Sequence, residues 1–202
     1  MYIAQGGFNM TGRDTHPNGI RQVPVGIWDR ILEIGNTFDE TLIDTMEELY
    51  SPLLVERDRS AISVTKDIPY GAHERHMLDV HLADESGEGL TCVLFFHGGG
   101  FVRGHKNMGG EIFYGNVANY FARHGMIGVT ATYRLAPDHP WPSGADDVGA
   151  ALDWARDNIS DFGGDPDRIV IMGQSAGPHM RRPMRSVRIS KAPEVQVVSA
   201  SS

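Results

Sequence analysis

The chain has 202 residues, 41% hydrophobic and 22% charged, with a formal net charge of −8 at pH 7. That length suits one domain with a sizeable core, and the acidic balance argues against nucleic acid or an anionic membrane as the main partner. No apolar run approaches the roughly 20 residues needed to span a bilayer, and no basic start leads into an apolar stretch as in a secretory signal. Cys92 is the single cysteine, so an intrachain disulfide is excluded. The expectation is a cytoplasmic protein, with Cys92 packed inside the run TCVLFF rather than acting as a reactive thiol.

Residues 1–24 carry no period and read as a polar arm. From Ile27 to Leu54 apolar residues recur at helical spacing: Ile27, Ile31, Ile34 and Phe38, then Leu42, Met46, Leu49 and Leu53. Gly35-Asn36-Thr37 divides them into two helices, with Thr37 or Asp39 as N-cap of the second. At Ala61 the period changes to two. AISVTKDIPY and ERHMLDVHLA predict paired strands joined through Gly71, with Leu78, Val80 and Leu82 facing a core.

LTCVLFF is a continuous apolar strand, as expected for one buried on both faces of a parallel sheet. EIFYGNVANYFARHG predicts a helix ending at Gly125, MIGVTATY a second buried strand, and SGADDVGAALDWARDNI a helix with Ser143 as N-cap. RIVIMG is a third buried strand. Strands alternating with helices define an α/β fold with a mostly parallel sheet.

Two loops carry the chemistry. Gly173-Gln174-Ser175-Ala176-Gly177 fits G-x-S-x-G, after a strand and where a helix should begin. That turn strains the serine backbone and lifts its Oγ above the strand end, a placement for a nucleophile. The alternative is a Gly/Ser-rich connection without chemistry. His97-Gly98-Gly99-Gly100-Phe101 follows the LTCVLFF strand directly. Consecutive glycine N–H groups can converge on one point, as a developing oxyanion requires, with the Ala176 N–H as third donor. His97 is expected to orient the loop rather than act as a base. A dinucleotide site is disfavoured, because Gly98-x-Gly100-x-x-Arg103 lacks the third glycine and no acid ends the next strand. No cofactor or metal is called for.

HGGGF, YRLAP (Tyr133 to Pro137), GADDVGAALDW and GGDPDRIVIMGQSAG, in this order and spacing, resemble the hormone-sensitive-lipase-like branch of the α/β-hydrolase fold carboxylesterases. The resemblance runs from about Ile62 to Gly177. It implies Ser175 as nucleophile, Gly98, Gly99 and Ala176 as oxyanion hole, and Phe101 lining the acyl site. His97, Gly100 and Asp147 would structure the loops. It further implies a small-molecule ester of short or medium acyl chain as substrate, and cap-like helices within residues 1–60 over a partial hydrolase core at 61–177.

After Gly177 the pattern departs. Residues 178–202 carry five Lys or Arg against one Glu, which leaves −12 for residues 1–177. The family order is Ser, then Asp or Glu, then His, and Glu194 and His179 are the sole acid and histidine after Ser175. His179 would lie on a helix leading away from the site. The reading is therefore the N-terminal part of the fold, with about five strands, a truncated or frame-shifted end, a disordered basic tail and weak or absent esterase activity. The RIVIMG strand would be an exposed edge prone to self-association. A non-catalytic fragment that binds acyl ligands or a partner through that edge is the second reading.

Overall fold

A computed structural model describes residues 25–36, 41–55, 61–108, 112–175 and 197–200. The chain divides into two compact units, residues 1–49 and 50–202. The first holds α1 (Val25–Ile34) and the beginning of α2 (Leu42–Val55). The break between these helices falls at Gly35, which takes a left-handed φ of 60°. Arg30 and Glu33, one turn apart, form an exposed ion pair on α1. The N-cap expected at Thr37 or Asp39, and the arm at 1–24, lie outside the described residues.

The second unit is built on a six-stranded sheet of order β1-β2-β4-β3-β5-β6. The strands are β1 (Ile62–Pro69), β2 (Met77–Ala83), β3 (Leu90–Phe96), β4 (Ile127–Ala131), β5 (Gly164–Gln174) and β6 (Val197–Ala200). β1 and β2 are antiparallel to their neighbours, while β4, β3, β5 and β6 run parallel. Parallel strands need crossovers. α3 (Tyr114–Arg123) connects β3 to β4, and α4 (Ser143–Asn158), followed by a 3₁₀ turn at Ile159–Phe162, connects β4 to β5.

The period of two assigns the faces. On one side Leu78, Val80, Cys92, Leu94, Phe96, Ile127, Val129 and Ala131 form one core with Ala145, Val148, Ala151, Leu152 and Ala155 of α4. Each large aliphatic side chain withdrawn from water there contributes roughly 1.5–3 kcal/mol. On the other side α3 approaches β4 so closely that a Cβ on Gly128 would overlap the Ala118 backbone. Glycine there is a packing requirement.

Leu78, Val80 and Leu82 mark one core face of β2, and its second face is covered too, since Asp79 and His81 are buried as fully as Leu78 and Val80. His81 Nδ1 lies 2.7 Å from Asn119 Oδ1 on α3, and Asp79 pairs with Lys106, so α3 and the loop before it cover that face. Ser143 does not cap α4. Pro142 occupies the cap position, and the Ser143 hydroxyl donates to Pro140 O at 2.7 Å. β5 is only half-buried at Val170, Ile171 and Met172, since it lies one strand from the sheet edge. Nor is that edge bare along its length: β6 pairs in parallel with Ile171–Gln174. Its valines favour extended backbone, and an unpaired strand edge accepts such a segment readily.

Candidate active site

The site residues come together because the sheet is parallel at its centre. Phe96 is in register with Gly173, so β3 and β5 end side by side and release their loops at the same end. Ser175 is the first residue past β5. Its φ of 52° lies in the left-handed region, rare for a residue with a side chain, and the residue is exposed. A G-x-S-x-G turn that presents its serine calls for such a strained, exposed backbone. Ala176 lies outside the described residues.

The glycine loop lies directly against the elbow. A Cβ on Gly98 would come within 2.8 Å of Gln174 Oε1 and 3.3 Å of Gln174 O, so the loop packs closely on the residue preceding Ser175 and a side chain there would have to displace that of Gln174. Gly99, Gly100 and Phe101 then take φ of 121°, 63° and 67°. The turn closes on itself, with Val102 N–H and Arg103 N–H both donating to Gly99 O. Phe101 is half-buried, and its carbonyl accepts from Ala136 N–H at 2.8 Å, which ties the glycine loop to the loop after β4.

His97 stands beneath this turn. Its Nδ1 lies 2.6 Å from Gly98 O and so carries the proton that it donates. Its ring stacks on Tyr133, whose hydroxyl donates to His97 O at 2.9 Å. Burial pushes the imidazole down to about 4, so it is neutral at pH 7. The unfolded ring takes up a proton near 6.5 and the folded one resists, so stability falls as pH drops from 6.5 towards 4. The expected loss is about 3 kcal/mol. Urea midpoints at pH 7 and pH 4 measure it, and His97→Gln should flatten that part of the profile.

Asp147, on α4, sits under the loop that follows β4. Its carboxylate accepts from Arg134 N–H at 2.7 Å and from the Arg134 guanidinium at 2.6 Å and 2.9 Å. His76 Nε2 lies 3.0 Å away.

Two further contacts had no signal in the sequence beyond position. Tyr114, opening α3, donates to Gln174 Oε1 at 2.6 Å and so ties α3 to the residue preceding Ser175. Arg75, in the β1–β2 turn, donates to Tyr133 O at 2.7 Å and to Gly104 O at 2.8 Å. Gln174 is the variable residue of G-x-S-x-G, and Arg75 lies more than twenty residues before the glycine run, so no motif marks either. Among the described residues no group of three or more His, Cys, Asp or Glu is arranged to hold a metal ion. No described helix is long and apolar enough to cross a membrane.

A central parallel sheet with helices on both faces, and with a G-x-S-x-G turn and a glycine loop at one end, is the architecture of an α/β-hydrolase. Residues 93–198 match the family model for the alpha/beta hydrolase fold, and the chain belongs to that family. It is similar to carboxylesterase NlhH of Mycobacterium tuberculosis, 43% identical over 91 residues, covering 45% of this chain and 27% of that protein. Esterase LipC of the same organism is 35% identical over 112 residues, 55% of this chain and 27% of its own length. Among solved structures, a hyperthermophilic esterase from Pyrobaculum calidifontis superposes with a TM-score of 0.54 at 27% identity, over 77% of this chain and 50% of that one. A bacterial heroin esterase shares the fold with a TM-score of 0.59 at 24% identity, with the same coverage. The matched region thus spans about a quarter of the length of these curated relatives.

Proposed function

We propose that this chain carries the nucleophile and oxyanion half of a serine carboxylesterase acting on short or medium acyl esters. The supporting observation is the left-handed Ser175 at the end of β5, with the Gly98 loop packed against its neighbour Gln174. In this reading Ser175 Oγ attacks the ester carbonyl carbon and gives its proton to a base. The carbonyl oxygen takes the negative charge and is held by the amides of Gly98, Gly99 and Ala176. Collapse expels the alcohol, which regains the proton, and water then hydrolyses the acyl-serine by the same route. Phe101 borders the acyl group.

His73 and His139 face one another, His76 faces Asp147, His81 faces Asn119, and His97 is turned to Gly98 O. His105 Nδ1 accepts from Asn107 N–H, and His124 Nδ1 lies 2.6 Å from Tyr120 O. Among the described residues these commitments leave no histidine turned to Ser175, which favours slow turnover, since serine is a weak nucleophile without an adjacent base. They equally favour the second reading, in which the site binds acyl ligands without turning them over. The test is p-nitrophenyl acetate hydrolysis by the chain and by Ser175→Ala. Slow release that disappears in the variant is the expected result. Equal rates in both would remove Ser175 from the chemistry and leave the binding reading.

A further inference from the structure

The β1–β2 turn reaches across the carboxyl end of the sheet through a directional chain of hydrogen bonds. It starts at His73, whose Nδ1 accepts from the Arg75 backbone N–H at 3.1 Å. An accepting Nδ1 leaves the proton of the neutral ring on Nε2. That proton points at His139 Nε2, 3.1 Å away, in the loop after β4. His139 must therefore accept at Nε2 and carry its own proton on Nδ1. Two lone pairs converging on a metal would require His73 to move its proton to Nδ1, against the Arg75 amide, so the pair is arranged as a hydrogen bond and not as a chelate.

Arg75 is the output of this chain. Its guanidinium joins Tyr133 O, at the end of β4, to Gly104 O, at the far side of the glycine loop. Gly104 is in turn pressed against Gly98: a Cβ on it would overlap Gly98 O and crowd His97 Nδ1. The position of Gly104 thus limits where Gly98 can lie.

We infer that Arg75 is a positioning residue for the glycine loop, and that protonation of the His73–His139 pair loosens its hold. The inference rests on the reading of that loop as an oxyanion hole. One added proton on either ring sets two N–H groups face to face. On His139 the new proton meets His73 Nε2–H, and on His73 it meets the Arg75 amide.

The surrounding charges enter from four elements. In the β1–β2 turn itself, His76 lies 5.4 Å from the His73 ring and stacks on Tyr70, with Glu74 beside Arg75. From the loop after β4, Tyr133 and Arg134 approach, and Asp138 precedes His139. From α4, Asp147 faces His76. From the glycine loop, His97 and His105 sense Arg75, and burial holds both rings below the ordinary histidine value.

The test needs no ester turnover. The isotope-labelled full chain is titrated over the range in which histidine changes charge, roughly pH 8 to 5, with histidine tautomers and the Gly98, Gly99 and Gly104 amides followed by NMR. The expected result at the upper end is protonated Nε2 on His73 and protonated Nδ1 on His139. On acidification the glycine amides should shift in step with these two rings. In Arg75→Met the rings should still titrate while the glycine shifts are lost, and Arg75→Lys, able to reach one carbonyl, should keep part of them. The opposite tautomers, or glycine amides that ignore the rings in the parent chain or follow them unchanged in Arg75→Met, would overturn the inference. An inactive Ser175 would leave these readouts standing, so the two readings fail separately.

Discussion

Replacing Lys106 with methionine should destabilise the folded chain by about 3–5 kcal/mol, the usual cost of removing one partner from a buried ion pair. Lys106 is fully buried, and its Nζ lies 2.7 Å from both Asp79 Oδ1 and Asp67 Oδ1. The two carboxylates differ in kind. Asp79 is 1% exposed on the α3 face of β2 and also accepts the Asp67 backbone N–H at 2.8 Å. Asp67 stands on a β1 irregularity with φ of 54°, and its side chain is 66% exposed. A hydrogen bond from Lys106, then its charge, holds the Asp67 carboxyl below the usual range, but solvent screens that pair. Asp67→Ala should therefore cost at most about 1 kcal/mol, whereas Lys106→Met strands the Asp79 charge away from water. The double variant Lys106→Met/Asp79→Leu should recover part of the loss, because no buried charge remains while the Asp67 N–H still loses its acceptor. Urea denaturation of the four proteins measures this. If Lys106→Met and Asp67→Ala cost the same, Asp79 is reached by water and the ion pair is not the anchor described.

Most of the architecture was legible because it depends on local pattern. TCVLFF and MIGVTATY announce two-sided burial by having no polar period, and the intervening helix ends where Gly125 takes a left-handed φ of 71°. The order of strand, glycine run, strand, helix, strand and G-x-S-x-G raised the expectation that the two loops share one end of the sheet, and the pairing of β3 with β5 sets Gly98 against Gln174. What escaped depends on which distant groups meet. Leu78, Val80 and Leu82 alternate as a one-sided strand would. Asp79 and His81 between them are buried by partners on α3 and its preceding loop, more than twenty residues away. The same holds for Arg75, which spans to Gly104 and Tyr133, and for Lys106, a lone lysine in a polar loop. Strand β6 was missed for another reason. The basic residues between Gly177 and Val197 dominate the composition of the tail and mask a short valine-rich stretch.

Replacing Asp147 with asparagine should cost about 3 kcal/mol at pH 7 and should also change the shape of the acid profile. Asp147 is 1% exposed, yet it serves three donors on Arg134 and faces His76. Burial alone would raise its carboxyl. Hydrogen bonds from the Arg134 side chain and backbone, with the His76 charge, outweigh that and hold it below the ordinary value. A carboxyl depressed in the folded state contributes stability that is present above its unfolded value, about 3.9, and is lost as pH falls through the folded one. The parent chain should therefore lose this contribution below about pH 4, under the window assigned to His97. Asparagine offers one acceptor oxygen and turns an NH₂ towards the guanidinium, so it forfeits the contribution at every pH. The two stability curves should then converge in acid: well separated at pH 7, and closing as Asp147 of the parent protonates. Arg134→Lys, which lacks the planar fork, should fall between them at neutral pH. Urea midpoints from pH 7 down to pH 3 decide the matter, and parallel curves across that range would mean that the carboxylate charge does not hold the loop beneath the site.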